Sequence, residues 1–310
     1  MRCHGVQLTF LGTGGGLPSP SRGVSALAVQ IGREIILFDC GEGTQRQFMF
    51  SPLSFMRVNN IFITHYHGDH FLGLPGLIQS MNFSGRENEL HVYGPEGTIE
   101  TVTAAATLGA FQPLFDVHAH EMADGDVVDL GPCSVKAISA DHTVPALSYI
   151  LREPDRKGRF NAQRARELGV PEGPMFARLQ AGEAVVVGDR RIEPHEVMGP
   201  PRSGRRIVYS GDTRPSEALL EASRGANVLV HEATLDSSLE EGALEYGHST
   251  ARAAAEMAKA ADVDQLILTH ISNRYDSVDL LEAEAREIFP NTVLAHDFMS
   301  FPVRFSDRPR

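Results

Sequence analysis

The stretch Thr64-His65-Tyr66-His67-Gly68-Asp69-His70 places three imidazoles and one carboxylate within six residues. It follows the apolar run Ile61-Phe62-Ile63, which reads as a short buried strand. Side chains two apart in an extended chain share a face, so His65 and His67 point the same way. Gly68 ends the extended pattern, and residues 71–81 read as a loop leading into a helix. Asp69 and His70 then approach from a second direction, an arrangement that suits two metal ions held side by side. A second H-x-H pair, His118 and His120, has no Asp-His after it and reads as ordinary strand.

The chain has 310 residues, 42% of them hydrophobic, enough for one large α/β domain or two smaller ones. No apolar run approaches the roughly 18 residues of a membrane span, so no membrane partner is expected. Met1-Arg2-Cys3-His4-Gly5 lacks the pattern of a secretory signal. Cys3, Cys40 and Cys133 lie far apart with no C-x-x-C, which fits a reducing cytoplasm. The net charge of −12 argues against broad non-specific nucleic-acid binding, and DNA is not an expected partner. The charge is uneven, however. Residues 151–206 carry twelve basic and eight acidic residues, a net +4, which leaves −16 on the remainder.

Along the chain, Val6-Gln7-Leu8-Thr9-Phe10-Leu11 reads as a strand ending in Gly12-Thr13-Gly14-Gly15-Gly16, where glycines permit close approach to backbone N–H groups. Residues 25–31 and 34–39 read as a hairpin. Asp39 at its end is either a partner for a metal-bound histidine or a cap for the next helix. Residues 161–168 read as a helix capped by Asn161 and stopped by Gly169, and 171–174 as a turn-rich bend. Residues 184–187 and 191–193 form a small hairpin, and Gly199-Pro200-Pro201 closes the segment. The whole is read as one domain, 1–310, from which 152–202 protrudes as a basic arm. His65, His142, Asp212, His231 and His270 each follow a short apolar strand. Residues at the same ends of strands in an α/β sheet converge on one crevice.

Zinc favours imidazole and carboxylate ligands, although manganese or iron accept the same set. One ion is assigned to His65, His67 and His142, and the other to Asp69, His70 and His270, with Asp212 bridging. Two cations lower the pKa of a water between them and hold phosphodiester oxygens for in-line attack. Asp69 could take the water's proton, although a carboxylate that ligates a metal is a weak base. His248 precedes a helix start, where an anion is favoured. It either touches the scissile phosphate or protonates the leaving oxygen, with Glu232 orienting it, or is a solvated neighbour of the capping Ser249 and Thr250.

The segments FLGTGGGLP, FDCGEGTQRQ, ITHYHGDHFLGLPGL, SADHT, SGDTR, HEAT, GHST and LTHISNRY span nearly the whole chain. Together they resemble the metallo-β-lactamase superfamily and, within it, the ribonuclease Z family in its short form. The resemblance implies a four-layer αββα sandwich with two Zn²⁺ per subunit, held by His65, His67, Asp69, His70, His142, Asp212 and His270. It implies a tRNA 3′-processing endoribonuclease, with Asp69 as proton acceptor and His248 assisting phosphate cleavage. KGRFNAQRARELGVPEGPMFARL is similar to the family's RNA-clamping arm, including Gly173-Pro174. Arg156, Lys157, Arg159, Arg164 and Arg178 are its candidate RNA contacts, although the family often has Lys where this chain has Arg. A homodimer is implied, with the arm of one subunit serving the other's site. The rival readings are a superfamily hydrolase of a small ester or sulfate, and a non-catalytic RNA-binding scaffold.

Overall fold

The computed structural model describes residues 5–306, so Cys3 and the N-terminal stretch before Gly5 lie outside it. The described residues hold two seven-stranded sheets. The first runs, edge to edge, through Ser300–Val303, Val6–Gly12, Ala26–Ile31, Glu34–Phe38, Val58–Phe62, Leu90–Gly94 and Val117–Glu121. The second runs through Thr292–Leu294, Leu266–Thr269, Val228–Glu232, Arg206–Tyr209, Leu147–Arg152, Ser134–Ser139 and Val127–Asp129.

Both sheets contain a parallel block. In the first, Glu34–Phe38, Val58–Phe62 and Leu90–Gly94 run together. In the second, Arg206–Tyr209, Val228–Glu232 and Leu266–Thr269 do the same. Parallel strands deliver their C-terminal ends to one edge, which is how residues distant in sequence come to share a crevice.

Three apolar clusters define the layers. Phe10, Phe38, Phe62, Tyr149 and Tyr209 belong to the one between the sheets. Tyr149 from the second sheet meets Phe38 and Phe62 of the first at 5.8 and 5.4 Å, and its hydroxyl donates to Ile63 O at 2.7 Å. On the outer face of the first sheet, Leu74, Leu77, Ile78 and Met81 of the helix Leu74–Phe83 pack on Ile35, Leu37 and Ile61. On the outer face of the second, Ala251, Ala254, Ala255 and Ala258 form the buried stripe of the helix Ala251–Ala260, at the spacing one helical face requires. Thr250 caps that helix by accepting from Ala253 N at 3.1 Å. Helix, sheet, sheet, helix is the expected αββα order.

Residues 153–204 form a compact unit of their own. Ala165, Val170, Leu179, Val185, Ile192 and Val197 make its core. Asn161 caps the helix Ala162–Glu167, accepting from Arg164 N, and Val185–Val187 pairs with Arg190–Ile192. The bend expected at residues 171–174 is also a helix start. Pro174 occupies the first turn of the helix Pro174–Ala181, where its missing N–H has no partner to lose. No helix among the described residues is long and apolar enough to cross a membrane.

Candidate metal centre

The strand Val58–Phe62 ends three residues before His65, and the chain leaves it in extended form. His67 then precedes a short helix, Gly68–Phe71, that turns Asp69 and His70 back toward the same space. Ligand atoms of His65, His67 and His142 lie within 4.8 Å of one another, as do those of Asp69, His70 and His270. Those of His65, His70 and Asp212 form a third such group, so Asp212 sits where the first two meet.

Imidazole nitrogens face one another throughout the cluster. His67 Nδ1 is 3.0 Å from His65 Nε2 and 3.1 Å from His142 Nε2, and His70 Nε2 is 3.3 Å from His270 Nε2. Asp212 Oδ2 is 3.7, 3.3 and 3.3 Å from the Nε2 atoms of His65, His70 and His270. Its other oxygen, Oδ1, is buried with no hydrogen-bond partner. A buried carboxylate oxygen left unmatched and lone pairs aimed at lone pairs are both costly unless cations lie between them. The donor set therefore fits metal ions, and imidazole with carboxylate suits divalent transition ions.

The outward nitrogens fix the tautomers. His70 Nδ1 donates to Asp39 Oδ2 at 2.8 Å, His142 Nδ1 to Gly247 O at 2.7 Å, and His270 Nδ1 to Thr234 Oγ1 at 2.8 Å. His65 Nδ1 faces Thr64 Oγ1 at 3.1 Å. Each contact holds the proton outside and turns the Nε2 lone pair inward. Asp39 does not cap the next helix, which begins after Gly43. Its carboxylate also accepts from Thr64 N at 2.7 Å and Tyr209 OH at 2.8 Å.

Without metal, the charges settle as the surroundings dictate. Burial disfavours the His65 imidazolium and, with neighbouring His70, holds its pKa well below the ordinary value. Burial also disfavours charge on His70, but Asp212 and Asp39 outweigh it and hold that group well above its ordinary value. Burial works to raise Asp69 and Asp212. Hydrogen bonds from His270 and His70 hold Asp69 low, and the charges of His270 and His70 hold Asp212 low.

His248 sits beside this cluster. Its Nδ1 is 3.0 Å from Glu232 Oε1 and 3.8 Å from Asp212 Oδ2, with its side chain 18% exposed, so it is not a solvated bystander. Burial lowers its pKa, but Glu232 and Asp212 outweigh that and push it up to about 9. Thr250 alone caps the helix that follows, because Ser249 Oγ donates to Thr213 O at 2.7 Å instead. Glu232 is itself fixed, accepting from Thr213 N at 3.0 Å and Thr234 Oγ1 at 2.7 Å. His231 breaks the expected pattern. It lies within the strand Val228–Glu232, buried, with Nδ1 on Glu232 O, and belongs to no metal-ligating cluster found among the described residues. Alternation along the strand turns it away from the face that Glu232 uses.

A family model described as a β-lactamase superfamily domain matches residues 34–161 and 196–271. Ribonuclease Z of Methanosarcina acetivorans is 46% identical over 301 residues, covering 97% of this chain and 99% of that protein. Ribonuclease Z of Archaeoglobus fulgidus is 45% identical over 304 residues, with 97% and 99% covered. The chain belongs to the ribonuclease Z family. Among solved structures, the short form of human tRNase Z matches with a TM-score of 0.69 at 30% identity, covering 96% of this chain and 100% of that one.

Three residues that buttress this candidate centre offer it no imidazole or carboxylate. A Cβ on Gly15 would sit 2.5 Å from the His270 ring, and one on Gly247 would sit 2.6 Å from His142 Nδ1. The glycine loop thus approaches a histidine, and Gly16 N also donates to Asp69 Oδ2 at 2.7 Å. Thr234 joins Glu232 to His270. In the separate 153–204 unit, Arg164 and Arg178 pair with Glu167 and Glu183, and Arg159 is exposed. Lys157 Nζ donates to the carbonyls of Gln180 and Ala181, and Arg156 to Ser203 O. Gly173 precedes Pro174 at φ 110°, a backbone that favours glycine.

Proposed function

We propose that this chain is a zinc-dependent endoribonuclease that removes the 3′ trailer from tRNA precursors, leaving a 3′-hydroxyl on the tRNA and a 5′-phosphate on the trailer. The observation that carries the reading is the pair of histidine clusters meeting at Asp212 with the His248–Glu232 dyad beside them. Homology to ribonuclease Z over 97% of the chain supplies the substrate class.

Two Zn²⁺ ions are proposed, on His65, His67 and His142 and on Asp69, His70 and His270, with Asp212 common to both. Bound there, they would supply an activated water and neutralise phosphate charge. His248, charged through its contact with Glu232, is positioned to donate a proton to the departing O3′. Glu232 keeps the imidazole ring aligned and its Nε2 free to donate. Asp69 is held as a carboxylate by two histidines, so it is a weak base that relays a proton rather than storing it.

The arm residues Arg156, Lys157, Arg159, Arg164 and Arg178, with Gly173-Pro174, are proposed to hold RNA. The arginine ion pairs are half-exposed, so salt screens them and phosphates can replace the carboxylates. A homodimer and a cytoplasmic location complete the proposal.

The test is cleavage of a 3′-extended tRNA precursor by metal-loaded protein, with both end groups mapped. A cyclic phosphate would sink metal-activated hydrolysis. A second arm removes residues 155–198. Turnover of a small phosphodiester should survive while precursor cleavage collapses, and equal retention of both activities would reject the RNA-holding role.

A further inference from the structure

The second H-x-H pair is not the end of its story. His118 and His120 lie in Val117–Glu121, the edge strand of the first sheet, and His91 and Tyr93 lie in the neighbouring Leu90–Gly94. The two strands are parallel, with His91 opposite His118 and Tyr93 opposite His120. Same-face alternation therefore gathers three imidazoles and a phenol ring on one side of the sheet. Glu89, just before the first of these strands, reaches over them.

We infer that Glu89, Asp116 and His118, with His91 beside them, form a surface site for a divalent transition-metal ion, separate from the main centre. Glu89 Oε2 lies 3.4 Å from His91 Nε2 and 3.8 Å from His118 Nε2. Ligand atoms of Glu89, Asp116 and His118 all lie within 4.8 Å of one another. The distances exceed those of a good N–H···O bond, about 2.7–3.2 Å. The 3.8 Å between Glu89 and His118 is near the spacing of ligands that share one ion, since bonds of about 2.1 Å at tetrahedral angles set neighbours roughly 3.4 Å apart. The main centre supplies a scale from the same molecule. There, Asp212 Oδ2 stands 3.3 to 3.7 Å from its histidine nitrogens.

His120 completes the arrangement without ligating. His91 Nδ1 is 3.1 Å from His120 Nε2. With the proton on His91 Nδ1, that contact turns His91 Nε2 toward Glu89 at the edge of the site. The site is open: the side chains of His91, His118 and Glu89 are 30, 43 and 60% exposed. An imidazole with two carboxylates fits Zn²⁺, Ni²⁺ or Co²⁺ and not the all-oxygen preference of Mg²⁺ or Ca²⁺.

The test counts metal. Full-length protein, stripped and then dialysed to equilibrium at a buffered free Zn²⁺ level, is compared with the His91→Ala/His118→Ala double variant. The expected result is one zinc fewer per chain in the variant, with precursor cleavage at the wild-type rate. Equal zinc content in the two proteins would overturn the inference. Glu89→Gln, a single exposed change, gives an independent reading if the double variant folds poorly. Loading with Co²⁺ should show the same loss as a missing component of the visible spectrum.

Discussion

Replacing Asp39 by Asn isolates one carboxylate's hold on the metal centre. The substitution is nearly isosteric, and Asn tolerates the left-handed backbone at this position, φ 58°. Asp39 is fully buried and takes four donors: Thr64 N, Thr64 Oγ1, His70 Nδ1 and Tyr209 OH. An amide has one accepting oxygen. That oxygen must stay on Thr64 N, because a backbone N–H cannot turn away. The NH₂ then faces Tyr209 and His70. The tyrosine hydroxyl can rotate to accept, and His70 can accept only by moving its proton to Nε2, the nitrogen 3.3 Å from Asp212 Oδ2. Binding a metal there means returning the proton to Nδ1 against an N–H. One buried mismatch of that kind costs about 1–3 kcal/mol, or roughly 5- to 150-fold in metal affinity. Zinc competition against a chromophoric chelator measures this, with urea unfolding of the metal-free proteins as control. Tyr209→Phe removes one hydrogen bond and no charge, so it should shift zinc affinity far less. Wild-type zinc affinity in Asp39→Asn, or an equal loss in Tyr209→Phe, would refute the tautomer argument.

Other consequences are open to similar tests. Glu232→Gln should lower precursor cleavage by about 10²-fold or more with metal content unchanged. In the metal-free protein, NMR should then show His248 losing its proton below the wild-type midpoint of about 9, because the main charge holding the proton is gone. Gly15→Ala pushes a methyl group against the His270 ring, which stands 2.5 Å from the new atom, and should weaken zinc binding while circular dichroism stays native. Tyr149→Phe leaves the buried Ile63 carbonyl without its donor and should destabilise the protein by about 1–2 kcal/mol, read by urea unfolding. Removing zinc held about 1,000-fold above its Kd should forfeit about 4 kcal/mol per site. Calorimetry with and without chelator would show this as a lower Tm.

The features legible in the sequence were those whose cause is local. Asn161 and Thr250 cap helices through their own side chains, and each does so here. Two strands of the large sheets lie outside the sequence reading, for different reasons. Leu147–Arg152 carries the period-2 signal, with Leu147, Tyr149 and Leu151 facing the inter-sheet core, but it runs directly into the charged arm, whose composition masks it. Ser300–Val303 contains Pro302, which argues against a central strand. It is an edge strand, where an absent N–H need break no ladder bond. Gly15, Gly247 and Thr234 gain their importance only from the rings beside them, and no sequence spacing encodes that.

A short motif also has a geometric limit. One strand end can present His65 and His67 on a shared face, and one helical turn can add Asp69 and His70, but all four then lie on one side of the space to be enclosed. The remaining candidate ligands come from the opposite sheet. His142 follows Ser134–Ser139, Asp212 follows Arg206–Tyr209 and His270 follows Leu266–Thr269, all strands of the second sheet. The inter-sheet aromatic core, with Tyr149 reaching across to Ile63 O, therefore sets the spacing between the two halves of the centre. A core substitution that moved one sheet against the other would alter the metal geometry without touching a ligand. On this view, part of any loss of activity in Tyr149→Phe should appear as weakened zinc binding, beyond what global unfolding explains.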